Sequence, residues 1–150
     1  METIIKTNYR KQFNNLDDLP LYDRSLVNYL SYNNLITDAG LKYSMSIQAT
    51  RGCPYRCFYC DVYKSTLYHY RRSVDSIFEE VKMIADLGVK RIEFIDDIFN
   101  IKRKDFFNIK RKDFVEFFNR VIQHKLKVKF FFPTALRGDL LDKESIDVMM

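Results

Sequence analysis

Three short apolar segments alternate with amphipathic segments between residue 43 and the end of the chain. Residues 43–50 alternate apolar and polar side chains, as a half-buried strand does, and residues 89–96 and 127–134 are further strand candidates. Side chains between these segments recur at helical spacing: Val74, Ile77, Phe78, Val81, Ile84 and Leu87, then Phe114, Phe117, Phe118, Val121 and Ile122. This alternation predicts an α/β fold with a parallel sheet and right-handed crossovers.

The ends of these elements carry matching signals. Ser73 is placed to cap the first helix and Gly88 to end it, while Asp142 can cap a third helix that the chain continues for about two turns. The phenylalanines at residues 130–132 predict a strand that is buried on both faces. Because three β-α units are too few to close a barrel, we expect the chain to be a fragment or a truncated product.

Residues 1–40 differ from the rest of the chain. They are polar, rich in Asn, Asp and Tyr, and show no sustained periodicity. We interpret them as a leader or linker segment that packs on the core, with one short helix near residues 25–30. Residues 41–150 then form the main domain.

Bulk properties narrow the class of protein. Apolar residues make up 47% of the chain, enough for a packed core. No stretch approaches the roughly 18 apolar residues of a membrane span, and residues 1–12 lack the apolar centre of a secretory signal, which predicts a cytoplasmic protein without a membrane span. Three cysteines within eight residues, in a chain without an export signal, favour metal binding over a disulfide framework.

The octapeptide FNIKRKDF occurs twice in direct succession, at residues 99–106 and 107–114. Each copy carries a net charge of +2, and without one copy the chain would carry +3 instead of +5. Much of the basic character therefore comes from the repeat, so nucleic acid is not an expected partner. We expect the second copy to lead into the helix that contains Phe117, and the first to stay joined to the strand end at Asp96.

The cysteines form the spacing C-x3-C-x2-C at Cys53, Cys57 and Cys60. Three thiolates on one short loop can bind three corners of an iron–sulfur cube, whereas clusters that only carry electrons usually take four cysteines. One iron is then left open and can coordinate a substrate, as an open zinc site does.

This motif, with Tyr59 directly before the last cysteine and a strand directly before the loop, resembles the signature of the radical S-adenosylmethionine (SAM) superfamily. The resemblance implies a (β/α)6 partial TIM-like barrel, of which this chain would be the first half. It also implies that Cys53, Cys57 and Cys60 bind a [4Fe–4S] cluster whose open iron is chelated by SAM. Reductive cleavage of SAM would then give methionine and a 5′-deoxyadenosyl radical, which abstracts a hydrogen atom from an unknown substrate.

The same resemblance suggests residues that bind SAM. Tyr59 is expected to lie against the adenine, Asp96 to make a polar contact near SAM, and Arg137 to bind the SAM carboxylate or a substrate anion. Many members carry Gly-Gly-Glu after the second strand, where this chain has Ile95, Asp96 and Asp97. No side chain is assigned a catalytic role.

Residues 17–20 and 23–24 resemble the leader between a cobalamin-binding domain and the barrel in the cobalamin-dependent branch of the superfamily, and residues 88–97 resemble that branch as well. Cobalamin is thus an implied cofactor, bound by a domain that this sequence lacks. The implied partners are a small-molecule or macromolecular substrate and an electron donor such as flavodoxin or ferredoxin.

Two alternatives stay open. The chain could be a catalytically inactive remnant that binds a cluster without cleaving SAM. It could also be a small zinc-binding module in which His69, nine residues after Cys60, completes a Cys3His site.

Overall fold

The computed structural model describes residues 5–8, 15–32, 44–62, 69–100, 111–134 and 136–150. The strands are β1 (Ser44–Ile47), β2 (Thr50–Arg51), β3 (Tyr70–Arg71), β4 (Arg91–Phe94) and β5 (Lys129–Phe131). Strands β1, β4 and β5 form a parallel sheet in that order, with Met45 opposite Ile92 and Ile92 opposite Phe130. Strands β2 and β3 form a separate antiparallel pair.

The α-helices alternate with the parallel strands. They are α1 (Val74–Asp86), α2 (Arg111–Gln123) and α3 (Lys143–Asp147). The predicted α/β alternation and parallel sheet are therefore confirmed. Three parallel strands fit part of a TIM-like barrel, and the described residues do not extend to six β-α units. No described helix has the length and apolar character that crossing a membrane requires.

Local signals explain where the helices begin and end. The Ser73 hydroxyl accepts a hydrogen bond from the backbone N–H of Ser76 (3.1 Å), which caps α1 as predicted. Gly88 follows the helix with φ +83°, a conformation that side chains disfavour. Asp142 caps α3 in the same way through the N–H of Ser145 (2.9 Å).

The core lies between the sheet and the buried faces of α1 and α2. Phe94 of β4, the central strand, is fully buried, and its ring contacts the rings of Phe99, Phe117, Phe130 and Phe132. Aromatic side chains supply large apolar area, so this cluster joins the central strand to α2 and to β5.

Residues 15–32 of the leader pack on the core, but their local structure differs from the single short helix expected near residues 25–30. These described residues form three 3-10 turns, Leu16–Asp18, Arg24–Leu26 and Tyr29–Tyr32. Leu16 is buried, and the Asp17 carboxylate accepts a hydrogen bond from the backbone N–H of Ser73 (3.0 Å) at the start of α1. Long-range contacts therefore hold this segment, because its sequence lacks the apolar period of a helix.

A buried carboxylate joins the leader to α1. Glu80 is fully buried and forms ion pairs with Arg24 of the leader (2.5 Å) and with Arg72, which precedes α1. Arg24 also donates to the carbonyl of Ser46 in β1 (3.0 Å), and Arg72 donates to that of Gln48 (3.2 Å). The network thus connects the leader, α1 and the end of β1.

The third strand is shorter and more exposed than its sequence suggests. Phe130, Phe131 and Phe132 are only half-buried, because β5 is the last strand of the described sheet and has a neighbour on one side only. Helix α2 begins at Arg111, within the second octapeptide, as expected. Residues 101–110, which hold most of the repeat, lie outside the described residues.

Candidate metal centre

The cysteine loop, residues 52–60, begins where β2 ends and lies at the carboxyl end of β1. Gly52 has φ +85°, so the backbone turns there in a conformation that favours glycine. Its N–H donates to the Asp97 carboxylate (3.2 Å), just after β4. Active sites of β/α barrels lie at the carboxyl ends of the strands, and the loop occupies that side of the sheet.

All three cysteines are free thiols. Cys53 and Cys60 are half-buried, Cys57 is exposed, and the backbone N–H of Cys60 donates to the carbonyl of Cys57 (3.0 Å) in a turn. Burial raises the pKa of Cys53, and the charges of Cys57, Cys60 and Asp97 raise it further. A cationic metal centre beside the loop would favour the thiolate form of these side chains.

The donor set fits an iron–sulfur cluster in its chemistry. Thiolates are the protein ligands of such clusters, and three on one loop leave a coordination position open. Among the side chains that the structure describes, however, no three His, Cys, Asp or Glu residues already stand in an arrangement that could hold a metal ion. Binding a cluster would therefore require the thiols to turn toward a common point.

His69 is buried beside β3. Its Nε2 lies 3.4 Å from the carbonyl oxygen of Ile98, and burial lowers its pKa. Within the described part of the chain it forms no metal-binding group with the cysteines, so the ready-made Cys3His arrangement of the zinc alternative is not observed there.

Asp96 lies at the end of β4 and is 1% exposed. Its Oδ1 accepts hydrogen bonds from the N–H of Ala49 (2.9 Å), and from both the N–H and the hydroxyl of Thr50 (2.7 Å for the hydroxyl). Its backbone carbonyl accepts from the Thr134 hydroxyl (3.0 Å). Asp96 therefore ties the carboxyl end of β4 to the segment that enters the cysteine loop and to the segment after β5.

The second carboxylate oxygen of Asp96, Oδ2, lacks the hydrogen bonds that Oδ1 accepts. Oδ2 is buried, and no group in the described chain forms a hydrogen bond with it. Burial raises the pKa of Asp96 to about 6, and a proton on Oδ2 would remove the charge while Oδ1 keeps its donors. The contact with SAM predicted for Asp96 remains a prediction, and Oδ2 is the carboxylate atom left for it.

We expect Asp96→Asn to remove a pH dependence of folding stability. Because the pKa of Asp96 is about 6 in the folded chain, against an ordinary 3.8, the folded state holds this proton more tightly than the unfolded state. The contribution therefore favours folding below about pH 4 and is lost as the pH rises through about 6, on the order of 3 kcal/mol. Urea unfolding of both proteins across this range measures the difference.

Asp96→Ala is the matched control for that measurement. It removes the same titration, but it also leaves the N–H groups of Ala49 and Thr50 without their acceptor, so it should be less stable than Asp96→Asn at every pH. Parallel curves of stability against pH for the natural chain and Asp96→Asn would contradict the prediction.

Tyr59 and its neighbour Phe58 project from the loop. Tyr59 is 79% exposed and Phe58 is 98% exposed, and their rings meet edge to face with centroids 5.2 Å apart. An exposed ring beside the last cysteine is available to stack on a planar ligand. The adenine contact predicted for Tyr59 is compatible with this placement and remains a prediction.

Arg137 lies at the cysteine loop. Its guanidinium carbon is 4.8 Å from the centroid of the Tyr55 ring, and two of its nitrogens donate to the Asp139 carboxylate (2.9 and 2.5 Å). The hydrogen bonds with Asp139 raise the pKa of Arg137. A carboxylate ligand would have to compete with Asp139 for this guanidinium.

The structure brings residues to the loop that the sequence did not single out. They are Thr50, Tyr55 and Asn100, and Asp97 acquires a definite partner in Gly52. Tyr55 could have been found from its place inside the motif. No signal in the sequence points to Asn100, whose importance depends on its contact with Arg137.

Comparison with known proteins agrees with this geometry. The family model of the radical SAM superfamily matches residues 47–149, a span that includes the cysteine loop and helices α1, α2 and α3. A search of curated proteins finds no sequence with significant similarity to the chain. The family match covers more than half of the 150 residues. The chain therefore belongs to the radical SAM superfamily.

Proposed function

We propose that this chain is the cluster-binding part of a radical SAM enzyme, and that Cys53, Cys57 and Cys60 hold a [4Fe–4S] cluster. Membership of the superfamily implies this cluster and SAM as cofactors, and it suggests an enzyme. The observation that carries the proposal is the loop of three free thiols at the carboxyl end of β1, inside the matched region.

The chain's own residues would orient the cofactors. Asp97 holds the N–H of Gly52 and so supports the start of the loop, while Tyr59 offers an exposed ring for the adenine of SAM. Asp96 and Arg137 are the proposed polar contacts. The chemistry that a bound cluster supplies is the one-electron reduction of SAM, which breaks a carbon–sulfur bond and begins radical chemistry on the substrate.

The finer proposal is membership of the cobalamin-dependent branch. Its support is the resemblance of residues 17–20, 23–24 and 88–97 to that branch. In this proposal cobalamin binds to another domain, and a flavodoxin or ferredoxin supplies the electron.

Anaerobic reconstitution of the full chain with iron and sulfide tests the proposal. We expect about four irons per chain, a brown colour, and 5′-deoxyadenosine after reduction in the presence of SAM. Cys57→Ala should lower the bound iron severalfold, because two thiolates cannot hold the cluster firmly. Iron and sulfide analysis, absorption spectra and chromatography of the nucleoside products give these results.

His69→Ala is the matched control. It should retain iron if the cysteines are the ligands, whereas a Cys3His zinc site would lose its metal. Circular dichroism checks that each variant is folded. One colourless zinc per natural chain would contradict the proposal, and iron binding without cleavage of SAM would support the inactive remnant instead.

A further inference from the structure

Asn100 holds the backbone of Arg137 beside the cysteine loop. The Asn100 side chain donates to the carbonyl of Arg137 (2.9 Å) and accepts from its backbone N–H (2.7 Å). Asn100 is itself buried, directly after the buried Phe99. One amide side chain therefore satisfies both backbone groups of Arg137, so the position of that residue is well defined.

The Arg137 side chain is held as well. Its Nε and Nη2 donate to the two carboxylate oxygens of Asp139, which fixes the plane of the guanidinium. In this orientation it lies over the ring of Tyr55, which stands between Cys53 and Cys57 in the sequence. A cation over an aromatic face at this distance is an attractive contact.

We propose that Asn100 and Arg137 are positioning residues for the cysteine loop. Asp97 holds the loop at its start through Gly52, and Arg137 holds it further along through Tyr55. The segment that carries Cys53 then lies between two points of attachment. The inference rests on the proposed function only in taking this loop as the cluster site.

This role differs from binding a ligand directly. In its positioning role Arg137 acts through the Tyr55 ring, and a SAM carboxylate would bind the same guanidinium only by displacing Asp139 from its edge. Two segments that are distant in the sequence, the one after β4 and the one after β5, thereby determine the shape of the loop.

Thiol alkylation of the metal-free full chain tests the inference. With iodoacetamide and peptide mass spectrometry, we expect Arg137→Ala to raise the alkylation rate of the half-buried Cys53 by about two- to fivefold, the factor that a lost cation–π contact represents. The exposed Cys57 serves as an internal reference. Asn100→Ala should act in the same direction, and Tyr55→Phe, which keeps the ring but removes the hydroxyl that also interacts with Arg137, should give a smaller increase than Arg137→Ala.

The pairing of Arg137 with Tyr55 is tested by a double-mutant cycle. Tyr55→Leu should reproduce the effect of Arg137→Ala, and the double variant should add little to either. Arg120→Ala is the matched control, because Arg120 is likewise an arginine held by acidic side chains, those of Asp75 and Glu116, but lies on α2. It should leave the alkylation of Cys53 unchanged.

Equal alkylation of Cys53 in the natural chain and Arg137→Ala, or fully additive effects in the cycle, would overturn the inference. Circular dichroism under the same conditions identifies a variant that has unfolded. If Arg137→Ala unfolds, Arg137→Lys replaces it. Arg137→Lys keeps the cation but not the two-pronged guanidinium, so it should raise the alkylation rate of Cys53 by a smaller factor. The measurement uses no iron and no SAM. Failure of the natural chain to bind a cluster would therefore contradict the proposed function without changing the alkylation result.

Discussion

Glu80→Ala is expected to lower the free energy of unfolding by about 3–5 kcal/mol. The carboxylate is fully buried and is the ion-pair partner of two guanidinium groups, those of Arg24 and Arg72. Removing it leaves two cations in a poorly solvated environment, where backbone carbonyls and the Ser76 hydroxyl are the remaining acceptors among the described residues. Urea denaturation followed by circular dichroism gives the free energy by linear extrapolation.

Glu116→Ala is the matched control for Glu80→Ala. Glu116 is also a helical glutamate paired with an arginine, Arg120 (2.6 Å), but both side chains are substantially exposed. Exposed pairs contribute little because water and salt screen them, so we expect a loss below about 1 kcal/mol. A loss in Glu80→Ala no larger than that in Glu116→Ala would show that the buried network does not stabilise the fold.

Phe94→Ala is expected to lower the free energy of unfolding by about 3–5 kcal/mol as well. Phe94 is fully buried on the central strand, and its ring is stacked on that of Phe132 with centroids 5.0 Å apart and an interplanar angle of 4°. It also contacts Phe117 on α2 and Phe130 on β5. The substitution would therefore leave a cavity and remove the contacts that join the sheet to α2.

Two variants bracket the effect of Phe94→Ala. Phe94→Leu fills part of the cavity and should cost less. Phe58→Ala removes a ring that is 98% exposed, so its effect on unfolding should be within about 0.5 kcal/mol. Similar unfolding free energies for Phe94→Ala and Phe58→Ala would contradict the assignment of Phe94 to the centre of the core.

Much of the local structure could be predicted from the sequence. Ser73, the apolar period of α1 and Gly88 mark one helix from start to end, and Asp142 marks the start of another. These signals act between residues a few positions apart, so they are readable without knowledge of the fold. The spacing of the three cysteines is also local, and it led to the family that the comparison shows.

Glu80 shows what such local signals cannot predict. It lies three residues after Ile77 and four before Ile84, on the buried face of α1, and a charged residue in such a face indicates a buried partner. The sequence does not identify the partner. Arg24 is 56 residues away along the chain and meets Glu80 only because the leader packs against α1.

The sequence alone thus determined the periodic spacing of the apolar residues, the capping residues and the cysteine spacing. Each of these depends on neighbours within a turn or a loop. The tertiary structure alone decided the attachment of Arg137 to the cysteine loop and the use of Asp96 to join the ends of the strands. It also decided the half-burial of the phenylalanines in β5, since burial depends on whether a strand has one neighbour or two. Such features arise from the approach of distant segments, and a linear pattern does not encode which segments meet.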